Sequence, residues 1–220
     1  MGSVGTSQSP GIPGRRPVDA SVEDRVLGFF DELVDWSDPE QALDTAGTGL
    51  ARLSADRHAL RRLVEGLSME HLDPSLGGSG AYWFWIAGRA DRNLSIWLRF
   101  CPTGAVVPAH THASPVLAVV VTGSLKQTLI GHGGGVQSPE GESTLFVRHE
   151  LPGQVFALNA RQRHETSSTA GSLLLVATPA DAGAAPPSEG FDDETTQKGE
   201  RALSRLARAL KALEAEDPAP

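Results

Sequence analysis

Three histidines offer the clearest chemistry in this chain: His110 and His112, one residue apart, and His164, which follows the turn-rich stretch Asn159 to Arg163. On a strand, residues i and i+2 point to the same face, so an H-x-H pair delivers two imidazoles to one place and turns Thr111 the other way. Neutral imidazole is a ligand for iron, zinc, copper and nickel. Three such nitrogens leave coordination positions open for substrate or water. Each histidine alone is a weak signal. The pair standing directly ahead of the hydrophobic run Val116 to Val121, with Gly104 and Gly123 on either side, is much stronger. His58, His71, His132 and His149 lack comparable partners and read as surface groups.

Bringing the three imidazoles together requires short strands, and the middle of the chain supplies them. Asn93 to Phe100 alternates, with Leu94, Ile96, Leu98 and Phe100 on one face and Ser95, Trp97 and Arg99 on the other. Val116 to Val121 is almost continuously β-branched, as expected of a strand buried on both faces. Ser124–Ile130, Ser143–Arg148, Gln154–Leu158 and Ser172–Thr178 read as further strands, with turn residues between them. The loop 131–142 is rich in glycine. Helical spacing flanks this region: Val22 to Trp36, Ser54 to Leu67 with Ser54 as N-cap, and Thr195 to Ala215. In the last of these, Leu203, Leu206, Leu210 and Leu213 form an apolar stripe that docks on the barrel or on a partner subunit, which leaves a homodimer open. The chain therefore divides into a tail (1–20), a helical region packing on the barrel (21–80), the barrel itself (81–180), and a linker with the C-terminal helix (181–220).

Composition narrows the function. The net charge of -8 excludes nucleic acid as the main partner, because a phosphate backbone calls for a basic face. No run approaches the roughly 20 apolar residues of a membrane-spanning helix. Cys101 is the only cysteine, so no internal disulfide forms and a four-thiolate zinc site is excluded. A lone cysteine and the lack of an apolar secretory segment in Met1 to Pro17 point to the cytoplasm.

The histidines and their glycines carry a family resemblance. Gly104-x5-His110-x-His112, followed by Gly123, resembles the first cupin motif. Gly153-x5-Asn159-x-Arg161-x2-His164 resembles the second, with Asn159 where proline is usual and Arg161 where glycine is usual. The similarity spans about Ser95 to Thr178. It implies a mainly β fold: a cupin (double-stranded β-helix, jelly-roll) barrel with N-terminal helices and a C-terminal helix.

Many cupins place a glutamate, as fourth ligand, three or four residues after the second histidine; Val116 and Leu117 stand there in this chain. The remaining three-nitrogen face resembles the iron site of thiol dioxygenases of the cysteine dioxygenase type. Two stretches add to that resemblance, Gly123 to Leu129 and Ile96 to Cys101. It implies Fe(II) as the metal, with Zn, Ni or Mn as the other cations the site admits. It also implies a small thiol or other small organic substrate, and dioxygen as co-substrate. The arginine with which cysteine dioxygenases clamp the substrate carboxylate is expected near Trp83, Phe84 and Trp85, none of which forms an ion pair. That substitution favours an apolar pocket, with Tyr82, Trp97 and Arg99 as the candidate catalytic residues lining it. Two other readings of the same histidines stay open: a cyclase, isomerase or lyase using zinc or nickel as Lewis acid, and a non-catalytic metal- or ligand-binding sensor.

Overall fold

The computed structural model describes residues 20–73, 80–132, 142–180 and 193–216. Most of the expected tail, most of the glycine-rich loop and the linker after residue 180 lie outside the described residues. Among the described residues nine strands follow one another: β1 Tyr82–Arg89, β2 Leu94–Cys101, β3 Ala105–His110, β4 Val116–Thr122, β5 Leu125–His132, β6 Glu142–Glu150, β7 Val155–Leu158, β8 His164–Ser168 and β9 Ser172–Thr178. They pair from the middle outward: β5 with β6, β4 with β7, β3 with β8 and β2 with β9, all antiparallel. This is one long hairpin folded back on itself, the pairing that defines a jelly roll. The resulting sheets run β1-β2-β9-β4-β7 and β3-β8-β5-β6. The strands expected from alternation are all present.

The five-stranded sheet is buried on both sides, and the period of two sorts its residues between two cores. Leu94, Ile96, Leu98 and Phe100 of β2 face outward to the helices, with Leu117 and Val119 of β4 and Leu173 and Leu175 of β9. The alternate residues, among them Trp97, Val116, Ala118, Leu174 and Val176, face into the barrel, where Leu125 and Leu129 meet them from the opposite sheet. The hydrophobic runs VLAVVV and SLLLVA follow from this: a strand facing two dry surfaces has no polar side.

Among the described residues the α-helices on the outer face are α1 Ala20–Leu27, α2 Pro39–Ala42, α3 Thr48–Ala55, α4 Arg57–Glu65 and α5 Asp193–Glu216, with a π turn (Leu43–Gly47) joining α2 to α3. Three details differ from the sequence expectation. The first helix stops at Leu27 instead of continuing to Trp36, and Arg92 reaches across to the carbonyl oxygens of Phe30 and Leu27 at its C-terminal end. Asp38 then starts α2, accepting hydrogen bonds from the Glu40 and Gln41 amides with Pro39 at the first helical position. Ser54 is inside α3, and the cap of α4 is Asp56, whose carboxylate accepts from the Ala59 amide at 2.9 Å. His71 is buried rather than exposed, and its Nδ1 accepts from the Ser68 amide at 2.9 Å.

Helix α5 packs on α4 and on the Met69–His71 turn, with Leu206 fully buried and Leu210 nearly so. Gly199 makes this approach feasible, because a Cβ there would stand 2.4 Å from the Met69 methyl carbon. The helix thus closes the outer core rather than the barrel cavity. Replacing Leu206 with alanine removes a fully buried side chain from that seam. Such truncations cost about 2–5 kcal/mol, and urea unfolding followed by circular dichroism should show the loss. An unchanged midpoint would mean that this face does not hold α5.

Candidate metal centre

Strand β3 is an edge strand of its sheet, and its ladder with β8 is interrupted between Val107 and His110. Pro108 lies inside that interruption. Proline has no N–H to give a ladder, so edges and bulges are where a strand tolerates it. Pairing resumes at His110, which sits opposite His164, the first residue of β8. The strand ends there, so His112 stands just beyond it rather than on it, and its carbonyl accepts the Arg161 amide at 2.8 Å. Arg161 has φ 63°, a left-handed conformation that costs a non-glycine residue on the order of 1 kcal/mol. The usual glycine of the second motif would adopt it freely.

These connections bring the three rings together. Centroid separations are 5.0 Å for His110–His112, 4.3 Å for His110–His164 and 5.1 Å for His112–His164. One ring nitrogen from each lies within 4.8 Å of the others. The orientation of two rings is set by backbone carbonyls: His110 Nδ1 donates to Pro108 O at 2.8 Å, and His164 Nδ1 donates to Gln162 O at 2.9 Å. A carbonyl only accepts, so the proton is on Nδ1 and the Nε2 lone pair is free for a cation. Burial, and then the neighbouring His164 and His110, push the pKa of His112 down to about 4. His164 is also lowered, chiefly by burial, with the Gln162 carbonyl opposing. Both are neutral at pH 7, the form that binds a metal.

The histidines border a cavity of about 360 Å³ between the sheets, lined also by Trp83, Arg99, Gln127, Phe156 and Leu174. Among the described residues none that lines it is acidic. Of the residues filling the place of a fourth ligand, Val116 lines the cavity and Leu117 turns to the helices. Glu165 is exposed on the other side of β8. Among the described residues the donor set is therefore three imidazole nitrogens with no carboxylate, and it fits a divalent cation that keeps open positions.

The other candidates part company. Arg99 borders the cavity with its side chain buried, its Nη1 donating to Ser168 Oγ at 3.1 Å and its guanidinium 5.7 Å from the Trp83 ring. Trp97 points into the barrel but belongs to the packed cluster rather than to the cavity lining. Tyr82 does not reach the cavity. It pairs with Phe100 across β1 and β2, and cross-strand partners share a face, so it packs against the helical side. Of the aromatic set Trp83, Phe84, Trp85 and Trp97, Trp83 alone lines the cavity, and Phe84 faces the helices.

No arginine comes from the Trp83–Trp85 stretch, but Arg99 enters from the next strand. Of Lys126 and Gln127, only one of which can face inward on a strand, it is Gln127 that is fully buried. Its Oε1 accepts from Arg148 Nε at 3.2 Å and Nη2 at 2.9 Å, and Arg148 Nε is held in turn by Glu150 at 2.6 Å. Period-two alternation with Leu125 and Leu129 was the signal that Gln127 points inward.

No protein-family model matches the chain, and no curated protein does. Solved structures similar to part of it include an RmlC-like cupin from Shewanella frigidimarina NCIMB 400, at 16% identity over 47% of this chain and 78% of that one, TM-score 0.36. Another is KdgF from a Halomonas species, at 19% identity over 46% and 81%, TM-score 0.35. A third is oxalate decarboxylase of Bacillus subtilis, studied for its Mn(II) centres, at 18% identity over 52% and 27%, TM-score 0.36. The fold assignment rests on the strand pairing itself. It defines a cupin-type jelly-roll barrel, and His110, His112 and His164 form a group in it that could hold a metal ion.

The lowered pKa values have a sign that can be checked. Between the ordinary histidine value of about 6.5 and about 4, the unfolded chain binds a proton at position 112 that the folded metal-free chain does not. Stability of the metal-free protein should therefore fall as pH drops through that window. Imidazole NMR of the metal-free chain should show His112 titrating near 4. A midpoint near 6.5 would contradict the burial argument.

Proposed function

We propose that this protein is a non-haem Fe(II) dioxygenase acting on a small thiol or other small organic substrate. The observation that carries the reading is the neutral three-nitrogen group beside a cavity without acidic residues. An iron ion held by His110, His112 and His164 would supply redox chemistry toward dioxygen, and open positions for a sulfur or oxygen donor of the substrate.

The protein's own residues supply the rest. The Pro108 and Gln162 carbonyls fix the tautomers of His110 and His164, so their donor atoms face the cavity. Val116, Leu158, Phe156, Leu174 and Val176 form a dry wall that keeps bulk water from a reactive centre. Ser168 and Trp83 hold Arg99 beside that wall. A cytoplasmic setting belongs to the same reading: no helix among the described residues is long and apolar enough to cross a membrane, and Cys101 is a buried free thiol.

The same donors also suit zinc or nickel as a Lewis acid, and oxygen dependence separates the two chemistries. Elemental analysis of protein purified without chelators should find iron in the wild type and a loss of at least about tenfold in His110→Ala, since one of three ligands is gone. Iron-loaded wild type should consume oxygen with a member of a panel of thiols and enolisable diketones. Metal content unchanged by His110→Ala would overturn the site, and turnover that proceeds equally without oxygen would overturn the dioxygenase reading alone.

A further inference from the structure

A buried arginine is seldom left without a counter-charge, because removing a cation from water costs far more than packing returns. Arg99 is such a case. It is 5% exposed, and Nη2 has no hydrogen-bond partner among the described residues. Its Nη1 is satisfied only by the neutral Ser168 hydroxyl. Burial lowers its pKa, and the one charged influence that opposes this is the Cys101 thiol rather than a carboxylate. No acidic residue lines the cavity that Arg99 borders.

A second unanswered donor borders the same cavity. Gln127 is fully buried, and its Nε2 has no partner among the described residues. The amide cannot turn over to relieve this. Arg148 carries only donors, and its Nε and Nη2 both donate to Gln127 Oε1 while Nη2 also reaches Ala157 O, so the amide oxygen must stay on the Arg148 side. The Arg148–Glu150 ion pair locks the arrangement from behind.

The two donors have a defined place relative to the histidines. Along β8, His164, Thr166 and Ser168 follow at intervals of two residues and so share a face. Leu129, Gln127 and Leu125 of β5 pair with them in that order. Gln127 is thus one ladder step from His164, and Ser168, the partner of Arg99, is two steps away, roughly 13 Å between Cα atoms. Donors lie at one end of this row and the metal-ligating group at the other.

We infer that Arg99 and Gln127 form an anion subsite, and that the substrate carries a carboxylate at the end remote from the three histidines. This deepens the dioxygenase reading and rests on it for what happens at the other end of the molecule. A water could accept from Nη2, but it brings no negative charge. A carboxylate answers both donors and the buried charge together, in the charge-assisted geometry that arginine favours. Cys101 and the Trp83 ring complete the surroundings of the guanidinium without supplying an acceptor oxygen.

The metal-free chain tests this, since there no metal can bind the carboxylate instead. The probes are butanoate and its neutral near-isostere butanamide, titrated while the Arg99 Nε–H and Gln127 side-chain amide signals are followed by ¹H–¹⁵N NMR. Butanoate should move both signals saturably and bind at least about tenfold tighter than butanamide, the margin expected of a charge-assisted bond over a neutral one. In Arg99→Met that preference should vanish, and in Arg99→Lys part of it should return. Equal binding of acid and amide to the wild type, or a folded Arg99→Met that keeps the acid preference, would overturn the subsite. Should Arg99→Met not fold, the wild-type comparison decides alone. Oxygen consumption by the iron-loaded chain is a separate measurement, so loss of the dioxygenase reading and loss of the anion subsite register independently.

Discussion

The arrangement depends on one constraint: the five-stranded sheet has no wet face. Its strands carry apolar side chains in both directions, outward to the helices and inward to the barrel. Because neighbouring residues alternate, a slip of one position would exchange the two cores entirely. Register is therefore pinned along β2, β9 and β4 at once. That rigidity reaches the histidines indirectly, through the tight corners joining this sheet to its partner. At one corner, after β4, Gly123 has φ 78° and approaches Ser172 so closely that a Cβ would lie 2.4 Å from its hydroxyl oxygen. The corner admits no side chain.

Against this frame the cavity stands out for the sign of its groups. Burial disfavours the charged form of His112 and His164, the Arg99 guanidinium is buried without a carboxylate beside it, and the described lining offers none. A divalent cation would add further positive charge. The aromatic and aliphatic wall gives shape, but the charge is one-sided, which changes the expected occupant from a purely apolar molecule to one with an anionic end.

Much of the architecture was legible because its signals are local. The alternation of Leu94 to Phe100 and the two-sided run of Val116 to Val121 follow directly from strand geometry. The glycines of both motifs mark tight turns. What escaped was set by contacts between distant segments. The helix expected to reach Trp36 ends at Leu27, where Arg92, remote in sequence, takes the carbonyls beyond it. Tyr82 looked free to enter the cavity until its pairing with Phe100 fixed its face. Gln127 gained its meaning from Arg148, a residue on the next strand that dictates which end of the amide is free. Arg99 was visible as a strand residue, but its lack of a counter-ion is a property of the assembled cavity.

The interruption at Pro108 bears on how fast a bound ion could come and go. Two of the three nitrogens come from His110 and His112, at the end of an edge strand whose ladder is already broken, while His164 is paired on both sides, by β3 and by β5. Segments of this kind open by small local excursions far cheaper than unfolding of the whole domain. The residence time of an ion held there would then follow the peeling of a short margin of chain and not the durability of the barrel. A very stable protein and an exchangeable metal are, in this geometry, compatible.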